Sequence, residues 1–285
     1  MKLRQAVFAG SWYPGKAADC EDQIRSFLDE NADSDLPRQT WSAGIVPHAG
    51  WHYSGAIACN VINCLKEDQP IDLVVIFGMH LHPGSPHHIM AEGAWDTPFG
   101  ELPVAGDLAD ALLGRFRFQV ETPSRFVKDN TVELQLPFVK YLLNPKHIMA
   151  MGVAPTPQSI EIGQAVVDWA VANGKSLKVI GSTDLTHYGR NYGFSPKGSG
   201  QQALDWVRDQ NDRRVIDAML ACSPENILRE GLENQNACCA GAASAAVAAA
   251  LQMGATRSEL VSYATSYDKS PGDSFVGYAG IVFGA

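Results

Sequence analysis

Histidine side chains recur in this chain where the sequence turns sharply after an apolar run. Val46-Pro47-His48-Ala49-Gly50 follows Ala43 to Val46, Phe77-Gly78-Met79-His80-Leu81-His82 follows Ile71 to Phe77, and Asp184-Leu185-Thr186-His187-Tyr188-Gly189 follows Ser176 to Ser182. Imidazole is the commonest transition-metal ligand and the commonest proton carrier near neutral pH. Three such segments point to one shared site, and the chemistry expected there is a metal centre with an acid/base pair. Pro47 presets the backbone before His48, and Gly50 and Gly55 permit close approach, so His48 is expected to face a cleft, with His52 lining its rim or packing. His80 and His82 alternate, and either can be the ligand of the second segment. Asp184 precedes His187 by three residues; it can orient that imidazole, complete a 2-His-1-carboxylate set or cap a turn.

Further candidates lie outside these segments. Cys238 and Cys239 open an alanine-rich stretch, and a helix N-terminus favours the thiolate that binds metal, with a buried structural thiol as the alternative. Glu133 and Gln135 sit among apolar residues between Asn130 and Phe138. Glu133 reads as a buried ligand or pairing partner, with a solvated helical face as the commoner explanation. His87 and His88, at the end of a Pro/Gly/His-rich loop from His82 to His88, are expected to be solvated.

The elements that must position these groups alternate. Helical spacing covers Asp19 to Leu28, Gly55 to Leu65, Asp107 to Phe116, Thr131 to Leu143 and Ile160 to Ala172, with a polar break at Asn31 to Pro37. Strand-like runs cover Ala43 to Val46, Ile71 to Phe77, His147 to Val153 and Ser176 to Ser182. The stretch from Gln201 to Leu251 is mostly helical with a break at Ser223-Pro224, and Glu259 to Ala264 and Phe275 to Phe283 close the chain as strands. This alternation predicts an α/β fold: one α/β/α sandwich spanning 1–285, with a mostly parallel or mixed central sheet whose strand tips carry the site.

Composition narrows the function classes. The chain has 285 residues, is 46% hydrophobic and carries a formal net charge of −9, with no basic block to contact nucleic acid or an anionic membrane. Its six cysteines form no C-x-x-C pair, which argues against a zinc knuckle or a disulfide framework. Ala237 to Leu251 is shorter than the roughly 20 residues a spanning helix needs. Without a signal-like start, the expected location is cytoplasmic.

Taken together, the chain resembles the Memo-like proteins, one component of the AmmeMemoRadiSam group, which are similar in fold to class III extradiol dioxygenases that use non-haem iron. The residues carrying the resemblance are Ala9-Gly10-Ser11-Trp12-Tyr13-Pro14, Val46 to Gly55, the strand ending at Gly78 with its histidine, Glu133 to Phe138, Ser182 to Gly189, Cys238 and Tyr278-Ala279-Gly280. The resemblance implies His48, His80 and Cys238 as metal ligands, with Asp184 and His187 lining the same cleft as catalytic groups. It also implies iron(II), with copper or zinc as alternatives, and association with AMMECR-type and radical SAM proteins. Two positions depart from the family pattern: only Met79 separates Gly78 from His80, which keeps His82 open as the ligand, and Cys239 stands where the family tends to have glycine. The leading expectation is a metal-dependent oxidoreductase acting on a small molecule or peptide. The alternatives are a non-enzymatic adaptor that binds such a ligand in the same cleft, and a hydrolase with a zinc-bound water.

Overall fold

Apolar segments with almost no polar positions build the centre of a nine-stranded sheet, in the order Trp41–Val46, Leu177–Ser182, Leu73–Gly78, His147–Gly152, all parallel. Leu73–Gly78 is buried along its whole length, as expected of a strand covered on both faces. The computed structural model describes residues 2–30 and 40–285, so the polar break at Asn31 to Pro37 lies outside the described residues. Antiparallel strands extend both flanks. Phe275–Gly284 pairs with Trp41–Val46 on one edge and Arg257–Thr265 on the other and also pairs with His187–Tyr188, while His87–Met90 runs antiparallel to His147–Gly152 and parallel to Phe118–Glu121. The sheet is therefore mixed with a parallel core.

Helices cover both faces, which gives the α/β/α architecture. On one side Val61 of helix Trp51–Cys64 lies so close to Gly44 that a Cβ there would meet it at 2.5 Å. On the other, Ala246 of helix Ala240–Gln252 stands 2.7 Å from where a Cβ of Gly181 would be. Gly44 pairs with Ile180 and Gly181 with Ile45, so adjacent rungs of the same strand pair present opposite faces. The run of alanines between 240 and 250 is wholly buried, as its small side chains let the helix pack closely on the sheet.

Register is what positions the site. Val46 pairs with Ser182, and Phe77 with Gly181, so the tips of three neighbouring parallel strands end on one level. His48, Asp184 and His80 each stand two residues beyond Val46, Ser182 and Gly78.

Several boundaries differ from those expected. The first covering helix starts at Trp51 rather than Gly55, because Trp51 is anchored by stacking on Phe138 at 4.1 Å and donating to the Leu134 carbonyl. The segment expected as one helix from Thr131 to Leu143 is split into Asn130–Glu133, Leu136–Phe138 and a π turn at Val139–Leu143; Pro137, which lacks a backbone donor, follows the break. His87 and His88 are not in a solvated loop but buried in a strand. His87 pairs through Nε2 with Gln158 and accepts the Ala154 N–H at Nδ1, and His88 pairs with Glu121, so neighbouring polar groups replace water.

Because Ala246 and the Ala242 carbonyl fill the space above Gly181, Gly181→Ala should destabilise the fold by about 1–3 kcal/mol through overpacking. Urea denaturation checks this, and an unchanged midpoint would contradict the close helix-on-sheet approach.

Candidate metal centre

His48, His80 and Cys238 converge above the level strand tips. His48 Nε2 lies 3.2 Å from His80 Nε2 and 3.3 Å from Cys238 Sγ. One ligand atom from each of His48, His80, Cys238 and Cys239 falls within 4.8 Å of all the others. An ion bound at 2.0–2.1 Å by nitrogen and about 2.3 Å by sulfur sets tetrahedral N···N and N···S edges of about 3.4 and 3.5 Å. The observed spacings match.

The neighbours of each ring fix which nitrogen faces inward. Ser182 Oγ donates to the Thr131 carbonyl, so in its 3.0 Å contact with His48 Nδ1 it must accept, which places the proton on Nδ1 and leaves the Nε2 lone pair toward His80. His80 Nδ1 lies 3.0 Å from Asp129 Oδ2, and that carboxylate can only accept. His80 Nε2 is therefore also turned inward with its lone pair. These are the outer partners that orient ligating imidazoles in metal sites.

Backbone geometry brings His80, and not His82, to the cluster. Met79 adopts a left-handed conformation, φ 70°, held by its N–H donating to Thr131 Oγ1 at 2.7 Å, and a Cβ at Gly78 would meet that oxygen at 2.4 Å. This single turn carries His80 to the cluster with His48 and Cys238, whereas His82 lies outside it and its N–H donates locally to Ser85 Oγ. Non-glycine residues in this conformation are uncommon and cluster at functional sites.

Asp184 and Cys238 brace one another. The Asp184 N–H points at Cys238 Sγ at 3.3 Å, and the Cys238 N–H donates to the Asp184 carbonyl at 3.1 Å. Asp184 Oδ1 accepts the His48 N–H at 2.7 Å, and its Oδ2 stands 3.8 Å from both His48 Nε2 and His187 Nε2. His187 Nε2 is buried and has no hydrogen-bond partner among the described residues, its closest carboxylate oxygen being Asp184 Oδ2 at 3.8 Å.

Electrostatics reflect this crowding of electron pairs. Burial works against a charged His80, but Asp129 and Cys238 outweigh it and push its pKa up to about 10. His187 is likewise pushed up to about 10, burial being outweighed by Asp184 and Cys238. His48 moves up for the same reason, with Asp184 and Cys238 opposing burial. Burial raises the Cys238 thiol, yet Cys239, His48 and His187 drive it well below the ordinary thiol range. Without a metal, protons take the place of a cation.

An open cleft of about 570 Å³ lies over His48, His80, Asp184 and His187, within the usual size range of small-molecule sites. Trp12, Tyr53 and Tyr192 wall it and remain 42%, 37% and 45% exposed. His52 lines its rim. Glu133 is outside the cluster: its buried carboxylate accepts the N–H groups of Val7 and Phe8 at 2.7 Å and the Tyr13 hydroxyl at 3.2 Å, tying down the N-terminal segment rather than forming a solvated face. Gln135 donates to the Pro47 carbonyl and steadies the turn before His48.

A family model described as Memo-like protein matches residues 4–282. The chain belongs to the Memo-like family. A MEMO1 family protein of Pyrococcus furiosus is 32% identical over 289 residues, covering 98% of each chain. Another from Methanopyrus kandleri is 32% identical over 296 residues with the same coverage. A crystal structure of an uncharacterized Escherichia coli K12 protein superposes with a TM-score of 0.56 at 13% identity, covering 86% of this chain and 100% of that one, a likeness of fold. Among the described residues no helix of this Memo-like chain is long and apolar enough to cross a membrane.

Sequence reasoning missed Asp129, Thr131 and Ser182, which orient the rings and the Met79 turn. The signal was present as an aspartate two residues before a threonine at a helix start, since the Asp129 carboxylate caps Asn130–Glu133 by accepting from Thr131 N. In the metal-free protein the raised His80 pKa stabilises the fold fully below about 6.5, and that contribution disappears as pH rises through about 10. Asp129→Asn should return His80 toward 6.5 in an NMR titration of the metal-free protein. A His80 that already titrates there in the wild type would contradict the pairing.

Proposed function

We propose that this Memo-like chain is a metal-dependent oxidoreductase, with iron(II) held by His48, His80 and Cys238 and with Asp184 and His187 as the proton-handling pair. The observation that carries this reading is that Nε2 of two imidazoles and the Cys238 sulfur converge at the floor of an open cleft, with Asp184 Oδ2 standing 3.8 Å from both His48 and His187. Imidazole and thiolate donors suit iron, copper and zinc and disfavour magnesium or calcium. The resemblance to non-haem iron dioxygenases supports iron(II) among them.

When bound, the ion supplies Lewis acidity and electron-transfer chemistry toward a substrate or oxygen in the cleft. The chain's own residues do the rest. Asp184 Oδ2, between His48 and His187, stabilises positive charge on His187 and keeps its ring at the cleft wall. His187, which lines the cleft, gives or takes a proton at a group bound there. Tyr192, whose ring centroid is 4.9 Å from that of His187, limits the ring's freedom.

A second reading has its own observation. The exposed aromatic rings of Trp12, Tyr53 and Tyr192 around one cleft suit a peptide or aromatic ligand held without turnover.

Anaerobic loading with iron(II) followed by elemental analysis should give about one equivalent in the wild type and near none in His48→Ala. His187→Ala should keep its iron while oxygen uptake by the loaded protein falls about 10²–10⁴-fold, the usual contribution of a positioned acid/base. Full iron retention in His48→Ala would remove the ligand assignment, and an iron-loaded wild type that consumes no oxygen with any ligand would favour the binding reading.

A further inference from the structure

Cys239 is buried, adjacent in sequence to Cys238, and has no part in the proton handling described above. It occupies the N-cap position of helix Ala240–Gln252, where a side chain ordinarily turns back to accept from the helix's first free N–H groups. Its side chain makes no such bond. The sulfur instead faces Cys238 Sγ at 3.8 Å and comes within 4.8 Å of a ring nitrogen of both His48 and His80.

The backbone holds the two sulfurs on the same side. The Cys238 N–H is bound to the Asp184 carbonyl and the Cys239 N–H to Thr183 Oγ1 at 3.0 Å, so the loop that follows one strand tip clamps both consecutive residues. The Cys239 carbonyl accepts from Ala242 and Ala243, which ties the pair to the rigid buried helix.

We propose that Cys239 is a fourth protein ligand, so that His48, His80, Cys238 and Cys239 together hold one thiophilic transition-metal ion. Two sulfurs bonded at about 2.3 Å to a tetrahedral ion are about 3.8 Å apart. The Cys238–Cys239 separation has that value already, and the other two measured edges, 3.2 Å and 3.3 Å, are within a few tenths of an ångström of their ideal lengths. An S₂N₂ set is softer than the three-residue set and shifts preference toward zinc, iron(II) and copper(I) and away from manganese. The inference rests on the metal-binding reading of the cluster and deepens it by fixing the sulfur count; a substrate or oxygen would then reach the ion as a fifth ligand.

Zinc(II), added at one equivalent to the reduced full-length protein, is the probe, and X-ray absorption counts sulfur neighbours at about 2.3 Å. Two sulfurs are expected in the wild type and one in Cys239→Ser, with binding in the variant weakened at least about 10-fold in chelator competition. Serine is a favoured N-cap residue, so this variant keeps the helix start intact. A single sulfur in the wild type, or a Cys239→Ser variant with unchanged sulfur count and affinity, would overturn the proposal and leave Cys239 as a hydrogen-bond donor. Failure of the wild type to bind zinc or iron at all would remove the metal-binding reading itself, whereas a tightly bound ion with one sulfur would remove Cys239 alone.

Discussion

Two imidazole nitrogens face each other across 3.2 Å, and a sulfur lies 3.3 Å from one of them. The other nitrogen of each ring is committed to an acceptor, Ser182 for His48 and Asp129 for His80. Three electron-pair donors aimed at one point repel unless positive charge sits among them, and this constraint explains the rest of the site. The upward movement of His48, His80 and His187 and the downward movement of Cys238 are the same demand for a cation expressed in protons.

Holding that arrangement requires rigidity on every side. The left-handed Met79 costs of order 1–3 kcal/mol and persists only because Thr131 captures its N–H and Gly78 leaves room for the threonine. Thr131 also receives Ser182 through its carbonyl and is itself braced by Asp129, so one short turn orients both imidazoles. Behind His187, Asp212 is fully buried and accepts the Thr186 N–H and the Tyr263 hydroxyl; burial lifts its pKa to about 6. It fixes the loop on which Asp184 and His187 stand. The cleft side is open by contrast, with aromatic rings at its mouth and the polar framework beneath.

Much of this was legible in the sequence because the parallel core uses long apolar runs that end in turn residues. His48, Asp184 and His187 follow such runs directly, and the level register that brings their strands together is a regular property of parallel sheets. Choosing between His80 and His82 was not possible, because the choice depends on one backbone dihedral at Met79 that no periodicity reveals. His87 and His88 read as solvated because their partners, Gln158 and Glu121, lie 71 and 33 residues away in sequence. Glu133 was ambiguous for a similar reason: the groups that donate to it, from Val7, Phe8 and Tyr13, lie 126, 125 and 120 residues away in sequence. Local pattern identifies the groups able to do chemistry, and long-range pairing decides which of them do.

Anomalous diffraction from crystals of the iron(II)-loaded protein, recorded on both sides of the iron edge, tests the central claim most directly. A single strong peak bonded to His48 Nε2, His80 Nε2 and Cys238 Sγ at about 2.0–2.4 Å is the expected result. An ion bound elsewhere in the chain, or no peak between the two imidazoles, would contradict it.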